Sequence, residues 1–172
     1  NEDREAMMRK ALSMGKYTVM MNNLKQKRVT NQHGHELPEE GISIEEMMEH
    51  IHPDDRAAMR NRSKLMAKAP NQSMPFQLRW NAGTRLRPEW KTISGYTYVE
   101  HDSHNRPINV VITSRDITDE IKKEESEREM TRRYMKMFDY TLVAMSFYDK
   151  EGNLIDLNEN MKKLCGLNEE KL

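Results

Sequence analysis

Six histidines and one cysteine are the residues here best suited to hold a metal or act as a nucleophile, and their settings argue against both roles. His33 and His35 flank a glycine and precede Glu36, but His-x-His in a breaker-rich loop, with no further ligand in view, is a weak zinc pattern, and no metal is expected. His52 opens "HPDD", where it reads as a helix cap; His101 and His104 lie in a polar turn facing solvent. Cys165 sits in a helical stretch before Gly166 and reads as a small buried hydrophobe. The chain has no glycine-rich phosphate loop, nucleophile elbow or ATP-binding constellation, and no helix-borne histidine followed by an acid in a dimerisation-helix setting. The carboxylates cluster at helix termini and in linkers, so no catalytic residue is assigned. What remains is a joint. Asp116, Ile117 and Thr118 stand between a strand and a helix, where the side chain of Asp116 or Thr118 can accept an amide hydrogen as an N-cap, worth about 1 kcal/mol. Its functional role would be to let the sheet steer the helix.

The elements around that joint follow from periodicity. Before it, Ile108, Val110 and Ile112 alternate with Asn109, Val111 and Thr113, as in a strand with one buried face. After it, Asp119→Lys123, Glu124→Arg128 and Glu129→Arg133 place an acid four residues before a base, about 0.2–0.5 kcal/mol per pair on a helix surface. Upstream, a first helix places Met7, Ala11 and Met14 on one face and ends at Gly15. "KYTVMMN" and "LKQKRVT" read as a hairpin turning at Asn22-Asn23, and "HGHELPEEG" as a loop. Ser43 and Glu46 make a capping box. Pro53 suits a first helical position, and its helix should run to about Lys68, with Ala58, Met59, Leu65 and Met66 inward, until Pro70 stops it. Three strands follow: Met74, Phe76, Leu78 and Trp80 alternate in the first; Ile93, Thr97 and Val99 oppose Trp90, Tyr96 and Tyr98 in the second; "PINVVITSRD" is the third. Five strands in one antiparallel sheet with helices on one face make an α+β fold. Beyond the charged helix the plan restarts, with a strand ending near Tyr148, a turn at 149–153, a strand at Leu154–Leu157 and a helix holding Met161 and Leu164.

Composition narrows the partners. A third of the residues are charged, but the signs interleave to a net charge of zero, so no basic face exists for a nucleic-acid backbone. No apolar run approaches the roughly 20 residues of a membrane span. One cysteine forbids an intrachain disulfide and fits a reducing compartment. With 15 methionines against three phenylalanines and two tryptophans, the core should be rich in flexible thioethers. "NEDREAMM" has no initiator methionine in first place and reads as an excised piece of a longer chain.

The run "IHPDDR", "FQLRW", "PEWKTISGY", "NRP" and "VVITSRDITDEIKKEESE", in this order and spacing, resembles a PAS domain, in particular its C-terminal, PAC-type half with the Asp-Ile-Thr signature. The resemblance covers about 42–127 strongly and 6–40 more weakly; "DKEGNLIDLNENMKKLCGLNEEKL" resembles the first third of a second PAS domain. It implies a PAS sensor domain over 6–118, a signalling linker helix over 119–140 and a truncated N-terminal part of a second PAS domain over 141–172. It implies a cytoplasmic signal-transduction module of a bacterial two-component, hybrid-type sensor histidine kinase. The phosphorelay and transferase activities would belong to the parent chain, and this fragment would not itself be an enzyme. The alternatives are a ligand-free PAS dimerisation or spacer module and the PAS module of a diguanylate cyclase. PAS cavities lie between the concave sheet face and the helices, which makes Met20, Met48, Ile51, Met59, Leu65, Met66, Phe76, Leu78, Trp80, Trp90, Tyr96 and Ile112 the pocket candidates; the alternative is that they simply fill a core. The cofactor is left open, with none expected: haem would want a helix histidine, for which His50 and His52 are nearest, and a photoactive flavin would want a reactive cysteine, for which Cys165 is misplaced. The expected partners are an output domain outside this chain and a second copy. A lone hairpin would expose Val143, Met145, Phe147, Leu154 and Ile155, and the linker helices could meet through Ile121, Met135 and Phe138, or Tyr134 and Met137. Neither nucleic acid nor membrane insertion is expected.

Overall fold

The computed structural model describes residues 2–66, 68 and 72–167, and the chain divides into two compact units, Asn1–Ile121 and Lys122–Leu172. In the first, helix α1 (Glu2–Met14) leads into strands β1 (Thr18–Asn23), β2 (Arg28–His33) and β3 (Ile42–Ser43); helices α2 (Ile44–His50) and α3 (Pro53–Met66) follow, then strands β4 (Ser73–Asn81), β5 (Trp90–His101) and β6 (Pro107–Asp116). The strands form one antiparallel sheet in the order β3-β2-β1-β6-β5-β4. The expected five strands are present, and the two-residue β3 adds a sixth at one edge. Pairing of β1 with β6 brings the two ends of the unit to the middle of the sheet, beside the joint.

Alternation decides which side chains meet. Thr18, Met20 and Asn22 of β1 share a face with Val110, Ile112 and Ser114 of β6, with Ile93, Thr97 and Val99 of β5 and with Phe76, Leu78 and Trp80 of β4. Met20, Leu78 and Val99 are buried there, with Val29, Ile51 and Met66 from the neighbouring elements. Gly95 lies on the same face, where β5 and β6 approach closely. A Cβ there would fall on the Thr113 carbonyl oxygen and 2.7 Å from Ser114 Cα.

Three local expectations shift. Lys16, not Gly15, takes the left-handed position after α1 (φ 54°), and the bonds Tyr17 N–H to Leu12 O (2.9 Å) and Lys16 N–H to Ser13 O (3.1 Å) close a Schellman motif. Met7, Ala11 and Met14 share one face of α1, as read, and all three are exposed. The hairpin turns at 24–27 rather than at Asn22-Asn23, because the Asn23 carboxamide oxygen accepts from the amides of Lys25 (3.1 Å) and Gln26 (2.9 Å), leaving Lys27 to take the positive φ. The capping box of α2 is formed, and Pro53 begins α3, which ends at Met66, short of Lys68; Pro70 lies outside the described residues.

Helix α4 (Thr118–Tyr140) crosses into the second unit, which also holds β7 (Ser146–Tyr148), β8 (Leu154–Leu157) and α5 (Glu159–Cys165). Two of the anticipated helix-surface ion pairs form, Glu124 with Arg128 and Glu129 with Arg133. Phe138 is buried in this unit against Phe147, ring centroids 5.1 Å apart. Asn158 is fully buried and holds the unit together. It donates to the carbonyls of Phe138 and Val143 (both 2.8 Å) and accepts from the amides of Met145 (2.8 Å) and Met161 (3.0 Å). One side chain thus caps the start of α5 and satisfies a carbonyl in the last turn of α4. No helix among the described residues is long and apolar enough to cross a membrane.

Candidate ligand cavity and helix junction

The inner sheet face, α2, α3 and the segment after β2 line a half-open cavity of about 290 Å³. Met20, Ile51, Met59, Phe76, Leu78, Trp80 and Ile112, seven of the sequence candidates, line it. The other five do not. Met48 is displaced by its neighbour Met47, because one step along a helix turns a side chain by about 100°. Leu65 is 61% exposed, on the solvent side of α3. Met66 is buried beside the cavity, its sulfur accepting from the Thr97 hydroxyl at 2.9 Å. Trp90 and Tyr96 fall on the outer face of β5, where Tyr96 is 57% exposed. Sequence reasoning missed the polar wall formed by Lys16, Thr18, His35, Glu36, Lys91, Ser114 and Arg115, and it assigned Asp116, which also lines it, to the helix joint alone. Charged residues at strand ends carry no burial signal, and only the pairing of β1 with β6 gathers most of them.

The joint lies at this polar wall. The Asp116 carboxylate accepts the amide of Thr118 at 2.9 Å and also its hydroxyl, and stands 3.5 Å from Lys91 Nζ. The Thr118 oxygen in turn accepts the Thr92 amide at 2.9 Å, and Ile117 N–H donates to Thr92 O at 2.9 Å. Asp116 therefore serves the first helical amide, while Thr118 fastens the helix start to β5 instead of capping it. Burial opposes ionisation of Asp116, but the two Thr118 bonds and Lys91 outweigh it and hold the carboxyl below its ordinary range.

A sensory box histidine kinase/response regulator from Burkholderia thailandensis E264 shares this architecture, at a TM-score of 0.55 and 24% identity over 73% of this chain and 98% of that one. The fold is the PAS fold. Weaker likenesses are the N-terminal domain of a diguanylate cyclase with PAS/PAC sensor from Marinobacter aquaeolei (TM-score 0.48, 14% identity, 61% of this chain and 98% of that one) and a sensory box sensor histidine kinase from Vibrio cholerae (0.40, 11%, 68% and 94%). No family model and no curated protein matches the chain.

Within the PAS fold, "HPDDR" starts α3 and ties it to the edge strand β4. The His52 Nδ1 accepts the Asp54 amide at 3.3 Å, as a cap should. Asp55 accepts from the Arg79 amide (2.8 Å), Nε (3.1 Å) and Nη2 (2.8 Å), tying α3 to β4. Hydrogen bonds from the Arg79 side chain, above all, hold the Asp55 carboxyl below its usual range. A depressed carboxyl contributes stability above its unfolded value, near about 3.9, and loses it as pH falls through the folded value. Asp55→Asn should therefore melt lower than the parent chain at pH 7, with the gap shrinking below about pH 4. Thermal melts across that range test this, and a pH-independent gap would deny the pair its ionic role.

The remaining candidates are placed as follows. Trp80 is stacked on His50 (4.8 Å between centroids) and edge-on to His35 (5.7 Å). Burial, then the charge of His50, pushes the His35 pKa down, favouring a neutral ring at pH 7. His33 lies 3.2 Å from the Ser13 hydroxyl. Cys165 is exposed rather than buried, because α5 presents it to solvent. Among the described residues no three His, Cys, Asp or Glu side chains assemble as metal ligands.

Proposed function

We propose that this chain is a cytoplasmic PAS sensory module of a two-component sensor histidine kinase of hybrid type, which converts the state of its cavity into the setting of α4. One observation carries the reading: Asp116 both lines the cavity and receives the first amide of the helix, so a change in its surroundings reaches α4 without passing through the core. Residues 6–118 act as the sensor, 119–140 as the output helix, and 141–172 as the beginning of a second PAS domain; catalysis and phosphorelay belong to an output domain elsewhere in the parent protein.

Asp116→Ala in the parent protein should abolish the response to stimulus while lowering the stability of the isolated sensor by only about 0.5–2 kcal/mol, the cost of a lost cap. Kinase output with and without stimulus, beside a thermal melt, separates the two effects. A wild-type response removes the steering role, and global unfolding removes the distinction between steering and stability.

The same reading includes self-association into a dimer. Met135, Met137, Val143, Leu154 and Ile155 are exposed, whereas Phe138 is engaged within its own unit and is withdrawn from the contact set expected from sequence. Light scattering at tens of micromolar should give twice the chain mass, and a monomer mass would end this part of the proposal.

A further inference from the structure

The cavity has a polar end and an apolar end, and the sheet register tells them apart. Along β6 the lining side chains run Ile112, Ser114, Asp116; along antiparallel β1 they run Met20, Thr18, with Lys16 just before the strand. Lys91 pairs with Trp80 across β5 and β4 at this same polar end, while Phe76 pairs with Gly95 farther along. Lining charges number three cations, Lys16, Lys91 and Arg115, against two carboxylates, Glu36 and Asp116. Asp116 is already engaged by Thr118, and Arg115 is taken by Glu120 at 3.0 Å. Lys91 lies 3.5 Å from Asp116 and 3.9 Å from Glu89, longer than a good charged hydrogen bond. Lys16 has no carboxylate within 4.0 Å among the described residues, nor does Glu36 have a cation. With Arg115 matched by Glu120, cations and carboxylates balance at the polar end, and Lys16 and Lys91 are the two ammonium groups there without a close carboxylate partner.

A volume of about 290 Å³ lies at the small end of the roughly 300–1,000 Å³ typical of ligand pockets, which favours a small occupant. Resting on the sensory reading above, we propose that the cavity binds a small organic acid: a ring or short chain among Met20, Met59, Phe76 and Ile112, with its carboxylate against Lys91 and Lys16. The acid draws Lys91 away from Asp116, which is left to Thr118 alone, so occupancy registers at the first turn of α4.

The probes are phenylacetate, its neutral isostere phenylacetamide, and acetate, each titrated calorimetrically into the 172-residue chain. Phenylacetate should bind saturably and at least about tenfold tighter than the amide, the difference a charged hydrogen bond supplies. Acetate, lacking an apolar body, should not bind measurably. Lys91→Met should erase the preference for the acid over the amide, and Lys91→Arg should retain it. Equal binding of acid and amide, or tighter binding of the amide, overturns the ligand class while leaving the cavity a ligand site. Persistence of the preference in Lys91→Met overturns the assignment of Lys91. If none of the three binds saturably in the millimolar range, the organic-acid proposal is overturned, while the sensory reading stands or falls on the Asp116→Ala response assay.

Discussion

Gly95→Ala is expected to leave the sheet unit unfolded or nearly so at 25 °C, with no cooperative thermal transition by circular dichroism where the parent chain is expected to give one. Gly95 faces inward in β5, opposite Ser114, and an added methyl would meet the backbone of β6 rather than a side chain that could swing aside. β6 cannot retreat, because it is paired on its other side to β1 along Thr18–Asn23. Relief requires breaking the ladder between β5 and β6, so the expected loss exceeds about 4 kcal/mol, a large part of the 5–15 kcal/mol that typically separates folded from unfolded domains. About 1 kcal/mol corresponds to roughly 4 °C in a unit of this size. A melting temperature lowered by less than about 5 °C would show that the two strands can part without such cost.

The second large effect is expected at Asn158. In Asn158→Ala the amides of Met145 and Met161 and the carbonyls of Phe138 and Val143 all lose a partner. Those left buried each cost about 1–3 kcal/mol, so the total should be on the order of 3–5 kcal/mol. Among its described residues the second unit has one buried aromatic ring and a two-stranded hairpin to offset that loss. Hydrogen exchange should show the amides of β7, β8 and α5 losing protection, while those of β5 and β6 keep theirs. Asn158→Asp should behave alike, since a carboxylate can accept from the two amides but has nothing to donate to the two carbonyls. Retained protection in the hairpin would mean that packing around Phe138, rather than this side chain, sustains the unit.

These two sites also show where reading the chain succeeds. Strand alternation located β4, β5 and β6, and short-range rules located the Ser43 capping box and Pro53, because each depends on neighbours within a few residues. β5 carries large side chains on both faces, so alternation alone could not decide whether Ile93 or Tyr96 turned inward; the short reach of Gly95 and the packing of α3 settled it. Leu65 was misplaced because α3 buries a narrow stripe ending at Met66, and a leucine one step away lies off it. Lys16, His35 and Lys91 read as loop or strand-end residues; their common address at the cavity depends on pairings between segments far apart in sequence. Asn158 carried a visible signal, an N-cap residue between a strand and a helix, but nothing local announced its bonds to Phe138 and Val143.

The outer edge of the sheet carries a consequence for life in a crowded cell. β4 ends the sheet, and a bare edge of this length is a template onto which another extended chain can add. Here α3 and the segment before it occupy much of that template. Asp55 takes the Arg79 amide, the His52 amide donates to the Arg79 carbonyl at 2.9 Å, and the Arg62 guanidinium covers the carbonyls of Met74 and Pro75. Pro75 has no amide hydrogen to offer. Alternation leaves Gln77 as the outward residue between them, too little for an incoming strand to start a ladder. At the opposite edge β3 is two residues long. The β4 edge is thus closed to recruitment, and strand addition there would first require α3 to come away from β4.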